Sequence, residues 1–321
     1  MYDMMGGGGI LGTRPGRGEK MKTQTTDIEN GTQSYNNFMN LPPQYSGPGA
    51  SRFVVLPVPY EATTSYRAGT AAGPQAMIEA SRQVELFDVE LGKRACEAGI
   101  HTKKPIAKGR RTFKNFYEAI RKEAGAALDG GRVPVVLGGE HTVTVPAVHA
   151  ALERHPDVSV LQFDAHADLR SAFDGSQWSH ACAMRRILSL ADRPPHIAQV
   201  GIRSASSEEW NLSLRSRSVT TFLAKDVVAG RSADKKILAA LGEKVYLTID
   251  LDAFDPSEVP GVGTPEPGGL SFRRALDLIS LVAEKRQIIG FDVVELCPIH
   301  GQNISDFFAA KLAYRIMGLL A

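Results

Sequence analysis

The stretch Val158-Ser-Val-Leu-Gln-Phe-Asp-Ala-His-Ala-Asp168 joins a short, mainly apolar run to a row of alternating polar side chains. An apolar run of this kind is typical of a strand buried on both faces, as the strands of parallel sheets are. If the chain stays extended after Phe163, the alternate spacing directs Asp164, His166 and Asp168 to one side. Polar side chains at the carboxyl ends of parallel strands line the edge where ligands bind.

Further apolar runs alternate with longer segments of helical spacing. Besides the strand above, strands are predicted at Phe53–Val58, Val133–Leu137, Ile197–Ile202, Val219–Phe222, Val245–Ile249 and Ile288–Val294. Helices are predicted at Pro74–Leu91, Thr112–Leu128, Val143–Glu153, Ala181–Leu190, Ser232–Leu241, Phe272–Glu284 and Ser305–Leu319. This alternation predicts an α/β fold in which a parallel sheet lies between helix layers. No internal repeat or linker divides residues 53–321, which are interpreted as one domain.

The composition excludes several classes of protein. Of the 321 residues, 43% are hydrophobic and 22% are charged, as in ordinary folded chains. A formal net charge of +2 gives no strong field for nucleic acid or anionic lipid, so neither is predicted as a partner. No apolar run approaches the ~20 residues of a membrane-spanning helix. Residues 1–36 are glycine-rich and lack sustained periodicity, which predicts a flexible N-terminal tail.

The cysteines indicate a reducing compartment. Cys96, Cys182 and Cys297 are an odd number without a Cys-x-x-Cys pair, so neither a disulfide framework nor a zinc knuckle is indicated. The first residues are too charged and too rich in glycine for a secretory signal. We therefore expect a cytoplasmic protein.

Two further strand ends resemble the first. Val245–Ile249 is followed by Asp250 and, two residues on, by Asp252, while Val133–Leu137 is followed by Gly138-Gly-Glu-His141. The glycines permit a tight turn and a close approach of the backbone beside the histidine. If these ends meet at one sheet edge, four aspartates converge without matching positive charge, which is costly unless cations hold them. The sequence therefore predicts a metal site.

The ligand types narrow the choice of metal. Carboxylates and imidazoles without thiolate suit a divalent ion, with Mn²⁺ favoured and Fe²⁺, Co²⁺, Ni²⁺ and Zn²⁺ left open. Six ligands exceed those of a single catalytic zinc, whereas two ions ~4 Å apart would use them all if two aspartates bridged. The glycine-rich segments follow no strand that leads into a helix, so no dinucleotide site is predicted, and no phosphate loop or Gly-x-Ser-x-Gly elbow is present.

These motifs resemble, in order, those of the ureohydrolases, the family of arginase and agmatinase. The motifs are Gly138-Gly-Glu-His141, Asp164-Ala-His-Ala-Asp168, Asp250-Leu-Asp-Ala-Phe-Asp-Pro256 and Pro260-Gly-Val-Gly-Thr-Pro-Glu-Pro-Gly-Gly269. Pro57-Val-Pro-Tyr60, Gly73-Pro74 and Phe291-Asp-Val-Val-Glu295 are more similar to agmatinases than to arginases. The resemblance covers residues 37–321, which are expected to form a single ureohydrolase catalytic domain.

The resemblance implies a fold and a ligand set. The fold is a three-layer α/β/α sandwich around a mainly parallel sheet of about eight strands, and relatives form trimers or hexamers. The cofactors are two divalent ions, usually Mn²⁺, and a hydroxide bridging them attacks the guanidinium carbon of the substrate. One ion is held by His141, Asp164, Asp168 and Asp250, and the other by Asp164, His166, Asp250 and Asp252, so that Asp164 and Asp250 bridge.

Two further residues are assigned by the resemblance. Glu295 corresponds to the glutamate that receives the guanidinium group, and His180 to the histidine that carries a proton to the departing amine. Many agmatinases have His-Gly-Thr where this chain has His180-Ala181-Cys182. Because alanine is excluded from some conformations that glycine adopts, the sequence leaves open the shape of this loop and the fit of the substrate.

The function implied is hydrolysis of agmatine to putrescine and urea, a reaction of polyamine biosynthesis. Other guanidino substrates, including guanidinobutyrate, guanidine and aminopropylagmatine, would use the same metal chemistry. A deacetylase-like amide hydrolase is a rival reaction class, although such enzymes carry one catalytic metal and a paired-histidine motif. A non-enzymatic alternative is an inactive regulatory paralogue, because a fold alone does not establish activity.

Overall fold

Eight parallel strands form the centre of the molecule, in a computed structural model that describes residues 34–230 and 233–321. The predicted tail over residues 1–36 therefore lies outside the described residues except for positions 34–36. The main-sheet strands are β1 Phe53–Val58, β4 Ile100–Thr102, β5 Val133–Gly138, β6 Ser159–Phe163, β7 Ile197–Ile202, β8 Val219–Leu223, β9 Lys244–Asp250 and β10 Gln287–Val294. β2 Phe87–Asp88 and β3 Lys93–Arg94 form a separate antiparallel pair.

The order of strands across the main sheet is β4-β1-β5-β10-β9-β6-β7-β8, and each neighbouring pair is parallel. Every strand predicted from the sequence is present. β4 was not predicted, because a short edge strand that pairs only with β1 carries too little pattern to identify. The four strands that precede the predicted site residues, β5, β10, β9 and β6, are adjacent at the centre of the sheet.

Ten α-helices lie within the described part of the chain. They are α1 Pro43–Ser46, α2 Gly73–Ser81, α3 Phe113–Asp129, α4 Thr144–Arg154, α5 Ala183–Ile187, α6 Ser207–Arg215, α7 Ala224–Val228, α8 Asp234–Ala239, α9 Phe272–Lys285 and α10 Ile304–Leu320. The helix predicted at Ser232–Leu241 begins outside the described residues, and α8 accounts for its central part. Within the described residues, no helix is both long and apolar enough to cross a lipid bilayer.

The helices cover both faces of the sheet. Alternate side chains of a strand point to opposite faces, so Val135 and Leu137 of β5 pack in the core that contains residues of α2, α9 and α10. Val136, between them, packs in the second core, with residues of α3, α4 and α5. The fold is therefore a three-layer α/β/α sandwich, as predicted.

One predicted helix is much too long. The sequence predicts Pro74–Leu91, but α2 ends at Ser81. Beyond it, the Oδ1 atom of Asp88 accepts the backbone N–H groups of Glu90 and Leu91, at 3.0 Å each. This local turn, closed by an ion pair between Asp88 and Arg315, takes the place of further helical hydrogen bonds.

A helix was also missed. α6 begins after Ser206, whose side chain accepts the N–H of Glu209 while the Glu209 carboxylate accepts the N–H of Ser206. This reciprocal arrangement is a capping box, and the Ser-x-x-Glu spacing that encodes it is visible in the sequence.

Candidate metal centre

His141 enters the centre from the end of β5. Gly139 precedes it by two residues. The backbone of this glycine passes so close to the segment around Tyr60 that a Cβ atom at position 139 would lie 2.0 Å from the carbonyl oxygen of Tyr60. The predicted close approach of the backbone is thus confirmed at this glycine. His141 then begins a 3₁₀ turn and is fully buried, with its Nε2 atom 2.9 Å from the hydroxyl oxygen of Thr248.

The contacts of His141 show which ring nitrogen faces the carboxylates. The Thr248 hydroxyl donates to Oδ1 of Asp292 at 2.6 Å, so its oxygen is available to accept the Nε2–H of the histidine. The other nitrogen, Nδ1, faces Oδ2 atoms of Asp168 at 3.0 Å, Asp164 at 3.2 Å and Asp250 at 3.4 Å. Burial acts to lower the pKa of His141, but these three carboxylates outweigh it and raise the pKa well above its ordinary value. Nδ1 therefore holds a proton at a position that a metal cation could take instead.

A second group of potential ligands lies beside the first. It consists of Asp164, His166 and Asp252, with Nδ1 of His166 2.8 Å from Oδ2 of Asp252 and 3.7 Å from Oδ1 of Asp164. Asp164 belongs to both groups, because Oδ2 faces His141 and Oδ1 faces His166. Asp250 also contacts a residue of each group: its Oδ2 atom lies 3.4 Å from Nδ1 of His141, and its Oδ1 atom accepts the backbone N–H of Asp252 at 2.9 Å.

The charges of the centre are unbalanced without cations. Burial raises the pKa of Asp168 to about 7, assisted by the neighbouring Asp164. Burial also raises the pKa of Asp250 well above its ordinary value, together with the charges of Asp252 and Asp164. For His166, burial lowers the pKa, but Asp252 and Asp164 outweigh this effect and raise it to about 12. The side chains fit divalent ions, which would neutralise the carboxylates in place of protons.

Glu295 follows β10 and lies next to this centre. Its Oε1 atom accepts the backbone N–H of His141 at 2.7 Å, and its own N–H donates to the carbonyl oxygen of Gly139 at 2.8 Å. Burial raises the pKa of Glu295 well above its ordinary value. Its backbone, like that of Asp168, is left-handed, with φ of 64° and 53° respectively. Such strain in non-glycine residues is concentrated at functional sites.

His180 lies on a loop beside this centre. Residues His180–Cys182 form a 3₁₀ turn, and Ala181 is not among the described residues with positive φ. Alanine therefore fits this backbone, and the glycine found in many agmatinases is not required here. Burial lowers the pKa of His180.

One cavity of about 280 Å³ brings most of the predicted residues together. Its inner lining includes His166, Asp168, Asp250, Asp252, His180 and Glu295, whereas His141 and Asp164 are buried behind it. Residues from four other segments complete the lining, namely Thr64–Arg67, Arg170 with Phe173, Ser204–Ser206 with Glu209, and Gly263 with Thr264.

Four polar residues that support the site are not among those predicted from the sequence, namely Thr63, Glu140, Thr248 and Asp292. Thr248 and Asp292 are fully buried polar residues within β9 and β10. A polar side chain inside an otherwise apolar buried strand is a signal that would have identified both. Thr63 gives no such signal, because it lies on a loop whose course the sequence does not predict.

The fold and this centre define an α/β enzyme with ligands for metal ions at the carboxyl edge of a parallel sheet. Residues 51–318 match the arginase family. The chain is 41% identical to the N(1)-aminopropylagmatine ureohydrolase of Synechocystis sp. over 272 residues, which are 83% of this chain and 88% of that protein. It is 31% identical to the agmatinase of Pyrococcus horikoshii over 274 residues, 84% and 92% of the two chains.

Solved structures agree with these relatives. The agmatine ureohydrolase of Thermoplasma volcanium superposes with a TM-score of 0.77 at 28% identity, covering 90% of this chain and 95% of that one. The proclavaminate amidino hydrolase of Streptomyces clavuligerus gives a TM-score of 0.79 at 29% identity, covering 90% and 97%. The chain belongs to the arginase family. It is a ureohydrolase, an enzyme that hydrolyses carbon–nitrogen bonds of amidines.

Proposed function

We propose that the chain hydrolyses the terminal guanidinium group of agmatine or of its N1-aminopropyl derivative, releasing urea and the corresponding amine. With agmatine the amine is putrescine, a polyamine precursor. The observation that carries this proposal is that two groups of metal ligands and the carboxylate of Glu295 converge on one cavity in a chain of the arginase family. We propose residues 37–321 as the catalytic domain.

The ligand assignment made from the resemblance is retained as part of the proposal. His141, Asp164, Asp168 and Asp250 would hold one ion, and Asp164, His166, Asp250 and Asp252 the other, with Mn²⁺ in both sites. The double contact of Asp164 with both histidines supports its role as a bridge. When bound, such ions would lower the pKa of water and so supply a nucleophile near neutral pH.

Glu295 and His180 act on the substrate in this proposal. The Glu295 carboxylate pairs with the guanidinium, whose planar N–H groups match the two oxygens and whose positive charge favours the ionised acid. The Oε1 atom of Glu295 already accepts the backbone N–H of His141, so the turn that begins at His141 holds this carboxylate in position at the end of β10. His180 delivers a proton to the amine nitrogen as its bond to the guanidinium carbon breaks, which makes the amine a better leaving group.

N1-aminopropylagmatine is favoured over agmatine by the comparisons. Relatives named N(1)-aminopropylagmatine ureohydrolase are 35–41% identical to this chain, whereas those named agmatinase are 31–32% identical. Both compounds present the same guanidinium group to the metals and differ only at the far end. We infer that residues at the mouth of the cavity discriminate between them.

Urea release from purified, Mn²⁺-loaded protein tests this function. The panel is agmatine, N1-aminopropylagmatine, 4-guanidinobutyrate, guanidine and arginine, with kcat/KM measured for each. We expect the highest value for N1-aminopropylagmatine, then agmatine. Turnover of none of the panel by metal-loaded protein would overturn the proposal and favour the regulatory paralogue.

We further propose a cytoplasmic homo-oligomer, a trimer or hexamer. The three cysteines are buried and free, which fits a reducing compartment. Exposed Trp210 and Leu214, four residues apart on α6, form an apolar surface that an interface could cover. Light scattering after size-exclusion chromatography measures the oligomeric state, and a monomer at micromolar concentration would contradict the proposal.

A further inference from the structure

Glu140 is a buried acid that is not among the proposed metal ligands. It precedes His141 in the chain and is fully buried. Its Oε2 atom accepts the backbone N–H groups of Ala62 at 2.6 Å and Thr63 at 2.8 Å. Its Oε1 atom accepts the hydroxyls of Thr63 at 2.8 Å and Thr142 at 2.9 Å. All four contacts come from donors, so both oxygens act only as acceptors.

The Thr63 hydroxyl connects this acid to His180. A hydroxyl has one proton, and the proton of Thr63 is donated to Glu140. Its oxygen then accepts the backbone N–H of His180 at 3.0 Å and lies 3.2 Å from the Nδ1 atom of the same residue. Since the oxygen has no second proton to give, Nδ1 must be the donor in this contact. The second oxygen near Nδ1, Oγ of Ser179, is more distant, at 3.4 Å.

This direction of donation determines the tautomer of His180. In a neutral imidazole one nitrogen carries the proton and the other the lone pair. With the proton on Nδ1, the lone pair lies on Nε2. The ring is also held by an edge-on contact with Phe173, with ring centroids 6.1 Å apart. The loop that bears His180 and the strand end that bears the metal ligands are therefore joined through Glu140 and Thr63.

We propose that Glu140 and Thr63 are positioning residues that hold His180 in its Nδ1–H tautomer, so that Nε2 is the atom that moves the proton. The inference rests on the proposed role of His180. As water adds to the guanidinium carbon, Nε2 takes up one proton from it. As the bond from that carbon to the amine nitrogen breaks, Nε2 returns the proton to that nitrogen. The second proton of the added water also goes to the departing amine as the carbonyl group of urea forms. The products are urea, the amine as its ammonium ion and a neutral imidazole.

Variants at position 63 separate the hydroxyl from its surroundings. Thr63→Val keeps the shape but removes the link, whereas Thr63→Ser retains the hydroxyl. General acid–base catalysis contributes ~10²–10⁴-fold, so we expect kcat of Thr63→Val to fall by at least about 10-fold. KM should stay within about twofold, because substrate binding is assigned to Glu295. Thr63→Ser should retain most of kcat.

Glu140→Gln gives a sharper test, because an amide can reverse the link. The side-chain oxygen of the glutamine would accept the N–H groups of Ala62 and Thr63, as Oε2 of Glu140 does. Its NH₂ group would then replace Oε1 and donate to the Thr63 hydroxyl. That hydroxyl would then donate to Nδ1 of His180 and force the proton onto Nε2. Nitrogen-15 NMR of histidine-labelled, Zn²⁺-loaded protein distinguishes the two tautomers, with His180→Gln used to assign the signal. We expect Nδ1–H in the wild type and Thr63→Ser, and Nε2–H in Glu140→Gln.

The outcomes distinguish this inference from the function on which it rests. Thermal melting and metal content of each variant show whether it is folded and loaded. If His180→Gln loses activity but Thr63→Val and Glu140→Gln keep the wild-type kcat and tautomer, the positioning role is wrong and the proposed function stands. If the wild type releases no urea from any guanidino compound, the proposed function fails, while the NMR spectra still decide the tautomer. A wild-type Nε2–H signal would overturn the inference directly.

Discussion

The Nε2 atom of His141 lies 2.9 Å from the hydroxyl oxygen of Thr248, and this contact joins the end of β5 to the interior of β9. Thr248 in turn donates to the buried carboxylate of Asp292 in β10. A hydroxyl between a carboxylate and a histidine fixes the orientation of the ring and leaves Nδ1 free for a ligand bond. Three adjacent strands therefore orient one imidazole.

Thr248→Val should weaken metal binding without removing a ligand. The valine leaves Nε2–H of His141 without an acceptor, and changes to such outer partners typically cost ~10–100-fold in metal affinity. Titration calorimetry with Mn²⁺ measures the loss. Thr248→Ser, which retains the hydroxyl, is the control, and equal affinities for the two variants would show that the contact does not orient the ring.

Substitution of Asp252 should remove a metal ion, whereas substitution of Glu295 should weaken the pairing with the substrate. Asp252→Ala is expected to lose most activity together with one equivalent of metal, because the residue belongs to the second ligand group. Glu295→Gln is expected to keep both equivalents while kcat/KM falls by ~10²-fold or more, because a neutral amide no longer pairs with a guanidinium. Elemental analysis and urea release measure the two effects. Unchanged metal content in Asp252→Ala would refute the ligand assignment.

Removal of the metals should destabilise the protein as well as inactivate it. The carboxylates around His141 and His166 repel one another when no cation is present. An ion that binds only the folded state at 100 times its Kd stabilises that state by ~2.7 kcal/mol. Dialysis against a chelator should therefore lower Tm and abolish urea release, and Mn²⁺ should restore both. A Tm that does not respond to Mn²⁺ would contradict a metal centre formed by these residues.

The sequence predicts the secondary-structure elements of the fold wherever hydrophobic periodicity determines them. The apolar runs that form β1 and β7 were predicted with the bounds that the structure has. The predicted bounds of an element are wrong where short-range polar contacts determine the backbone conformation instead. Asp88, for example, closes a turn with its own side chain in a segment whose apolar spacing continues the pattern of α2.

Part of the candidate site can also be predicted from the sequence, for a different reason. His141 and Asp164 follow strands and Asp250 ends one. The carboxyl ends of parallel strands lie at one edge of the sheet whatever the conformations of the loops. The supporting residue Thr63 comes from a loop, and its contact with Glu140 spans 77 positions of sequence. No local pattern encodes such a contact, because it depends on how the loop packs against the finished sheet.

Gly139→Ala should disturb both stability and the metal site. The new methyl group would lie 2.0 Å from the carbonyl oxygen of Tyr60, so the turn that presents His141 must shift. Overpacking of this kind costs ~1–3 kcal/mol or more. Gly49→Ala is the matched control, since a Cβ atom there has no neighbour within 4 Å. Urea unfolding measures both variants, and equal stabilities would show that the backbone accommodates the methyl group without cost.

Asp88 provides a test of stability as a function of pH. Its ion pair with Arg315 is largely buried, with the two side chains 5% and 11% exposed. Burial acts to raise the pKa of Asp88, but the N–H of Leu91 and the guanidinium of Arg315 outweigh it and hold the pKa below its ordinary value. The folded state therefore favours the ionised acid. The stability that it contributes is present above the unfolded-state pKa of about 3.9 and is lost as the pH falls through the lower folded-state pKa.

Asp88→Asn should therefore destabilise the protein at pH 7 and progressively less in acid. Breaking a buried pair costs up to ~3–5 kcal/mol at pH 7, and the loss here should be smaller because Arg315 keeps its pair with the more exposed Glu90. Below about pH 4 the unfolded chain takes up a proton at Asp88 while the folded state still holds the ionised acid, so the difference in unfolding free energy should shrink. Urea unfolding of metal-free protein between pH 3.5 and 7 measures the difference. Glu90→Gln is the control, since Glu90 is 43% exposed and its surface pairs should contribute less than ~1 kcal/mol. A destabilisation of Asp88→Asn that stays constant with pH would show that the effect comes from packing and not from the ionised carboxylate.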